Sequence, residues 1–299
     1  MIGEATEHLA DHTGPAIGGF LNASFGNAPE LIIALLAVHA GLFDVVRGSI
    51  TGSVVSNLLL VLGLTMVAGA GAVDRRSLLP QLGTIAVAIA LFLIPSVPGF
   101  GGDRNRHALV VATVPVAAVL LALYLATVVA NLRRHGAQRP ATVPEHAWPM
   151  RTAALALAAA AAATAVVSEA LVQTLQGFGR ALGLSDFFVA VVIVAIVGNA
   201  AEHGGAIVVA HRGKTKLASE IAVSSSAQVA VFVAPAAALL SLLFRHHLTL
   251  AFRQVELATL AAATMLVALT VLDGRATRRE GLALVAGYGG AVAAYALAG

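Results

Sequence analysis

The sequence has no cysteine and one tryptophan, and only 11% of its 299 residues are charged. The missing cysteine excludes disulfides and any thiolate metal site. Soluble domains are about a quarter charged, so the shortage of charge excludes an ordinary soluble protein. The opening stretch, MIGEATEHLADHTG, has neither the basic start nor the apolar core of a cleavable signal. It reads as the last turns of a helix. Strict apolar/polar alternation is absent as well, which excludes a membrane β-barrel.

What the chain does have is hydrophobic length. Fully 59% of its residues are apolar, in runs of the size a helix needs to cross a bilayer. The pattern predicts an all-α polytopic membrane protein. A partial helix covers 1–13, and helices follow near 16–41, 47–72, 78–98, 107–131, 151–178, 184–210, 216–244, 248–273 and 278–298. The polar stretch 132–150, with three prolines, divides a first repeat (1–131) from a second (151–299).

Basic residues orient the chain, because cytoplasmic loops are enriched in Lys and Arg. One face carries twelve: Arg75, Arg76, Arg133, Arg134, Arg139, Arg151, Arg212, Lys214, Lys216, Arg275, Arg278 and Arg279. The other carries six: Arg47, Arg104, Arg106, Arg180, Arg245 and Arg253. The first face, with the central loop, is expected to be cytoplasmic and the C-terminus outside. Short loops and the lack of targeting signals favour a bacterial inner membrane.

The two halves resemble each other. GNAPELIIALLAV (26–38) matches GNAAEHGGAIVVA (198–210), and each is followed by a helix with clustered small polar residues, GSVVSNLLLVLG (52–63) and SSSAQVAVFVAP (224–235). Glu30 and Glu202 lie five spans apart. An odd offset gives the halves opposite orientations, the inverted-topology plan of secondary transporters, in which the site lies at the repeat interface near the midplane.

An ionisable group at mid-bilayer is costly and by default functional. Asn27 and Glu30 are spaced i, i+3 and share a helix face, as do Asn199 and Glu202, Ser53 and Ser56, and Ser225 and Gln228. Gly26 and Gly198 would permit a helix break or a close approach, and Pro29 removes a backbone donor. Broken helices free carbonyl oxygens where they line a cavity. The donors are therefore all oxygen, and His203 is turned about 100° from Glu202. Such a set suits a hard divalent cation, Ca²⁺ first, with Mn²⁺ or Mg²⁺ next. Two close carboxylates in low dielectric are neutralised either by protons or by one divalent ion. That competition is the logic of an antiporter.

At these residues the chain resembles the cation/proton exchanger family, the Ca²⁺/H⁺ antiporters of the sodium/calcium exchanger superfamily. The similarity rests on GGFLNASFGNAPELIIALLA (18–37), IVGNAAEHGGAIVVA (196–210) with His203, SEIAVSSSAQVAVFVAP (219–235), GSVVSNLLLVLG (52–63) and DGRATRREGLALVAGY (273–288). It implies Glu30 and Glu202 as the ion-binding and proton-coupling pair. It implies supporting oxygens at Gly26, Asn27, Ser53, Ser56, Gly198, Asn199, Ser225 and Gln228, and Glu4, Glu169 and His203 along the approach. It also implies export of cytosolic Ca²⁺ against H⁺ by alternating access. Family members have eleven spans, so this chain is expected to lack the first and to keep the next only as 1–13. Its central loop is basic where the family's is acidic, and no Ca²⁺ regulation is carried over to it. Ser224 stands where the family has Gly.

Elsewhere, Glu7, His8, Asp11 and His12 form a metal-like cluster at a helix end, with a solvated end the preferred reading. The basic groups at 133–135 and 245–247 read as interfacial residues, and 211–216 as a simple cytoplasmic turn, with contact to anionic lipid the alternative. Two alternatives remain: Na⁺-driven Ca²⁺ exchange, which would want more acids around the central helices, and a non-transporting cation-binding membrane protein. An enzyme is the weakest reading. The expected partners are a divalent cation, protons and the lipid bilayer, with no nucleic acid and no organic cofactor. Homo-oligomerisation is left open.

Overall fold

The computed structural model describes residues 2–13, 25–100, 106–135 and 147–298. Eleven helices organise the described residues: α1 (Ile2–Thr13), α2 (Ala28–His39), α3 (Phe43–Ala68), α4 (Arg75–Phe100), α5 (Arg106–His135), α6 (Met150–Leu182), α7 (Asp186–Gly198), α8 (Ala200–His211), α9 (Thr215–Leu243), α10 (Gln254–Val271) and α11 (Arg278–Ala298). Seven are long and apolar enough to cross a membrane singly, and α7 with α8, bent by 55° at the break, is apolar enough to count as an eighth if taken as one span. The chain is an all-α polytopic membrane protein.

Burial sorts the helices. The apolar windows of α3 and α9 are 83% and 67% buried, against 22% for α6 and 28% for α11. The matched helices α3 and α9 are therefore the centre, and the less buried ones present their remaining apolar surface to lipid. Each central helix contains a wide π-helical turn at a matched place, 56–61 in α3 and 229–233 in α9. Such turns inside α-helices cluster at functional sites. The outer pair α1 and α6 has a small apolar core of its own, Ala5 and Leu9 against Ala153 and Leu157, separate from the main one.

Close packing at the centre depends on glycine. A Cβ on Gly52 would run into the Val191 carbonyl of α7. A Cβ on Gly281 would stand 2.6 Å from the Gly63 carbonyl oxygen, where α11 crosses α3. Small residues that let backbones touch are the usual means of helix association in a bilayer.

Several expected boundaries move. The span expected over 47–72 runs Phe43–Ala68. The helices expected over 16–41 and 184–210 are interrupted, at Asn27 and at Asn199; residues 14–24 of the first lie outside the described residues. The helix expected from 248 starts at Gln254. The reason is hydrogen bonding. Leu248, Leu250 and Phe252 are buried alternately along an extended segment. Their N–H groups donate to the hydroxyls of Ser241 (2.8 Å), Thr113 (3.0 Å) and Ser96 (2.9 Å). Backbone without regular structure persists at such depth only where every polar group finds a partner.

The basic face is tied together outside the bilayer. Gly71–Ala72 pairs antiparallel with Arg275–Ala276, and Lys216 reaches Asp74 at 2.7 Å. The hydrogen bond from Lys216, with its charge, holds the Asp74 carboxyl below the usual carboxylate range. The close DGRATRREG is structural: Asp273 accepts from Arg275 N–H, and Thr277 and Glu280 cap α11 reciprocally.

Candidate cation site

Both pentads break their helix at asparagine. Asn27 has φ −95°, ψ 14° and Asn199 has φ −100°, ψ 7°, and each stands at the start of a new helix. Asparagine at such a position usually caps its own helix with its side chain. Neither does so here. Asn27 Nδ2 donates instead to Gln228 Oε1 (2.6 Å), and Asn199 Nδ2 to Ser53 Oγ (3.0 Å) and to the carbonyl of Ala195 (3.0 Å). Each amide thus reaches the central helix of the other repeat. Pro29 falls in the first turn of α2, where a missing N–H costs nothing.

The glycines of the pentads have a smaller part than expected. Neither adopts positive φ. A Cβ on Gly26 would meet nothing within 4 Å, and one on Gly198 only Ile33 at 3.8 Å. The break is made by the asparagines, and the tight approach lies at Gly52.

The carboxylates follow one helical turn after each asparagine. Glu202 Oε2 accepts from Ser225 Oγ (3.2 Å), and Ser225 Oγ in turn accepts from Asn57 Nδ2 (3.1 Å). Glu30 lines a small cavity with Ser49, Ile50, Ser53, Gly198 and Asn199. Its volume is about 10 Å³, roughly the space of one water. Four of the lining groups offer side-chain oxygen.

Three buried oxygens here have no hydrogen-bond partner: Glu30 Oε2, Asn57 Oδ1 and Asn199 Oδ1. Leaving such an atom unpaired costs about 1–3 kcal/mol; Glu30 and Asn199 line this cavity, and Asn57 stands beside the Ser225 that binds Glu202. The His203 ring is also buried, and its Nε2 is unpartnered.

Sequence reasoning missed Asn57. It stands four residues after Ser53 on the same face, which was a usable signal. The repeat concealed it, because its counterpart in the second half is Val229. Ser56, which the repeat does single out, turns its hydroxyl back to the Ser53 carbonyl (3.3 Å) and is not brought to either carboxylate. Ser49 was also missed. Glu4 and Glu169 stand exposed on α1 and α6, outside the cluster. Glu169 accepts from Gln173 (3.2 Å).

A further buried carboxylate, Glu256, was not singled out. It accepts from Thr51 Oγ1 (3.3 Å) and from Arg253 N–H (2.6 Å), closing a capping box on α10. Thr51 is about 200° round α3 from Ser53, so Glu256 braces the back of that helix. Among the described residues no three His, Asp or Glu side chains gather as a metal cluster.

The α1 histidines are half-buried and tied to Trp148 rather than solvated at a free helix end. His8 stacks on Trp148 (4.5 Å between centroids) and accepts its N–H (3.4 Å), while His12 Nε2 donates to the Trp148 carbonyl (2.6 Å). Tryptophan just before α6 offers a ring and both backbone groups, and uses all three to hold α1. The Glu7 side chain lies outside the described residues.

The family model of the sodium/calcium exchanger proteins matches residues 1–133 and 152–296. The Ca(2+)/H(+) antiporter ChaA of Bacillus subtilis (strain 168) is 38% identical over 301 residues, covering 96% of this chain and 85% of the relative. Native YfkE superposes with a TM-score of 0.84 at 35% identity, over 99% of this chain and 87% of that one. The sodium-calcium exchanger NCX_Mj shares the fold, with a TM-score of 0.64 at 19% identity, over 98% of this chain and 92% of that one.

Proposed function

The chain belongs to the sodium/calcium exchanger family, and within it we propose that this protein is a Ca²⁺/H⁺ antiporter. Close relatives in sequence and structure carry that description or superpose over nearly the whole chain. The observation that carries the reading is the pair of unpartnered oxygens of Glu30 and Asn199 on a water-sized cavity between the halves, with the unpartnered oxygen of Asn57 beside the Ser225 that binds Glu202. A hard divalent ion needs oxygen ligands. Two carboxylates balance its charge.

Glu30 and Glu202 bind the ion, and each takes a proton when the ion is gone. Asn27, Ser53, Asn57, Asn199, Ser225 and Gln228 hold the cage from both repeats. The carbonyls near Gly26 and Gly198 complete the shell, and Ser56 stabilises the wide turn of α3. Either loading neutralises the pair, so the loaded site crosses the low-dielectric centre while the empty, charged one does not. The two repeats are 1–131 and 151–299, a division supported by the two matched segments of the family model. The basic face and the central loop are cytoplasmic by the positive-inside rule. Glu4, Glu169 and His203 serve the approach.

The test is uptake of labelled Ca²⁺ into proteoliposomes driven by a pH gradient. Uptake should follow the gradient without Na⁺. Uptake that requires a Na⁺ gradient would replace this reading with Na⁺-driven exchange. The cluster favours protons, since among the described residues no third acid joins the two that an Na⁺ site would need.

A further inference from the structure

Glu220 lies five residues inside the basic end of α9, within a membrane span, and is half-buried. No described residue hydrogen-bonds to it. Its i−4 neighbour on the helix, Lys216, gives its hydrogen bond to Asp74 and lies within electrostatic reach of both carboxylates. A carboxylate facing lipid costs several kcal/mol, so one without a hydrogen-bond partner inside a span belongs beside water. The surroundings agree. Glu220, Ser224 and Gln228 are half-buried and succeed one another within about 80° on α9, leading to the Gln228 that binds Asn27. On the neighbouring α8, Gly205 is one turn inward of Glu202 on the same face, and a Cβ there would meet nothing within 4 Å. Open space and one acid free of hydrogen bonds thus lie on the inner side of the cage. Glu220 is about 7.5 Å along the axis from Ser225.

The opposite face is built differently. Its cleft, about 1000 Å³, is lined by Asp44, Arg47, Asp186 and Arg253 among others. There Asp44 is shared between Arg47 (2.6 Å) and Arg253 (3.0 Å), and Asp186 accepts from Gln176 (3.2 Å). No acid of that group is without a partner.

We propose that Glu220 is the inner-side recruiting carboxylate of this transporter. It attracts a divalent cation arriving from the basic face and passes it along Ser224 to Glu202, without belonging to the cage. The proposal rests on the Ca²⁺/H⁺ reading. A fixed negative charge on a low-dielectric wall raises the local cation concentration and the rate of entry, and salt screens the effect.

The test compares wild type, Glu220→Gln and Glu220→Asp in vesicles of both orientations. Glu220→Gln should raise the half-saturating Ca²⁺ concentration at the basic face by about fivefold. It should leave maximal rate, the value at the other face and equilibrium Ca²⁺ binding unchanged. Glu220→Asp should restore the wild-type value, and added salt should weaken wild type more than Glu220→Gln. Equal effects at both faces, loss of equilibrium binding, or no effect at either face would overturn the proposal while leaving exchange intact. A wild type that moves no Ca²⁺ against protons would overturn the underlying reading instead.

Discussion

The two pentads begin alike and end in different company. In the second half Glu202 is held by a serine hydroxyl, itself held by Asn57. In the first half, the Glu30 Oε2 atom has no partner and its side chain lines the cavity. The asparagines also part: Asn27 engages Gln228, the position matched to Ser56, whereas Asn199 engages Ser53, the position matched to Ser225. A duplicated frame therefore carries unequal sets of partners in its two halves. Symmetry supplies two helix breaks and two carboxylates, and the unmatched residues decide which carboxylate is pre-tied. Glu30 is the more open arm and Glu202 the oriented one.

The largest expected effect tests what the halves share. Glu30→Gln and Glu202→Gln should each abolish exchange, because a divalent ion that loses one carboxylate charge beside it loses about 4 kcal/mol or more, roughly a thousandfold or more in affinity. Loss in only one of them would reduce the cage to a single half. Next is the packing between halves. Gly52→Ala forces a methyl into the α7 backbone and should lower the thermal unfolding temperature in detergent, at a cost of about 1–3 kcal/mol. Gly26→Ala should be neutral; equal effects would return the tight approach to the pentads. The asymmetry itself comes third. Asn57→Ala should weaken Ca²⁺ binding about tenfold through the lost oxygen and the loosened Ser225, while Ser56→Ala should change it less than about twofold. The reverse order would make the repeat a better guide than the geometry. The smallest effect lies outside the bilayer. The Asp74 carboxyl is held low by Lys216, so its stabilisation is present at neutral pH and lost as pH falls through the lowered value. Asp74→Asn should flatten the acid side of a stability-against-pH curve slightly and leave neutral-pH transport unchanged.

The elements legible in the sequence were those written in apolar length and in repetition. The spans over 78–98, 107–131, 151–178, 216–244 and 278–298 fall on α4, α5, α6, α9 and α11 within a few residues at each end. The carboxylates and asparagines were legible because buried charge is rare enough to be noticed. What escaped depended on side chains meeting across distant segments. The helix expected from 248 failed because three hydroxyls from α4, α5 and α9 satisfy an extended segment whose apolar content reads as a span. The weight placed on Gly26 and Gly198 failed because a break need not pass through left-handed backbone. Asn57 escaped because comparing repeats rewards matched positions, and its match is a valine. His8 and His12 were misread because Trp148 is 136 residues from His12.

The central claim is that two half-sites form one site. Calorimetric titration of Ca²⁺ into the purified protein, in buffers of different ionisation enthalpy, measures both the number of ions bound and the protons released. One Ca²⁺ per chain is expected, bound with release of protons, and Glu30→Gln and Glu202→Gln should each lose both signals together. Two ions per chain, with one retained in each single variant, would contradict a shared cage.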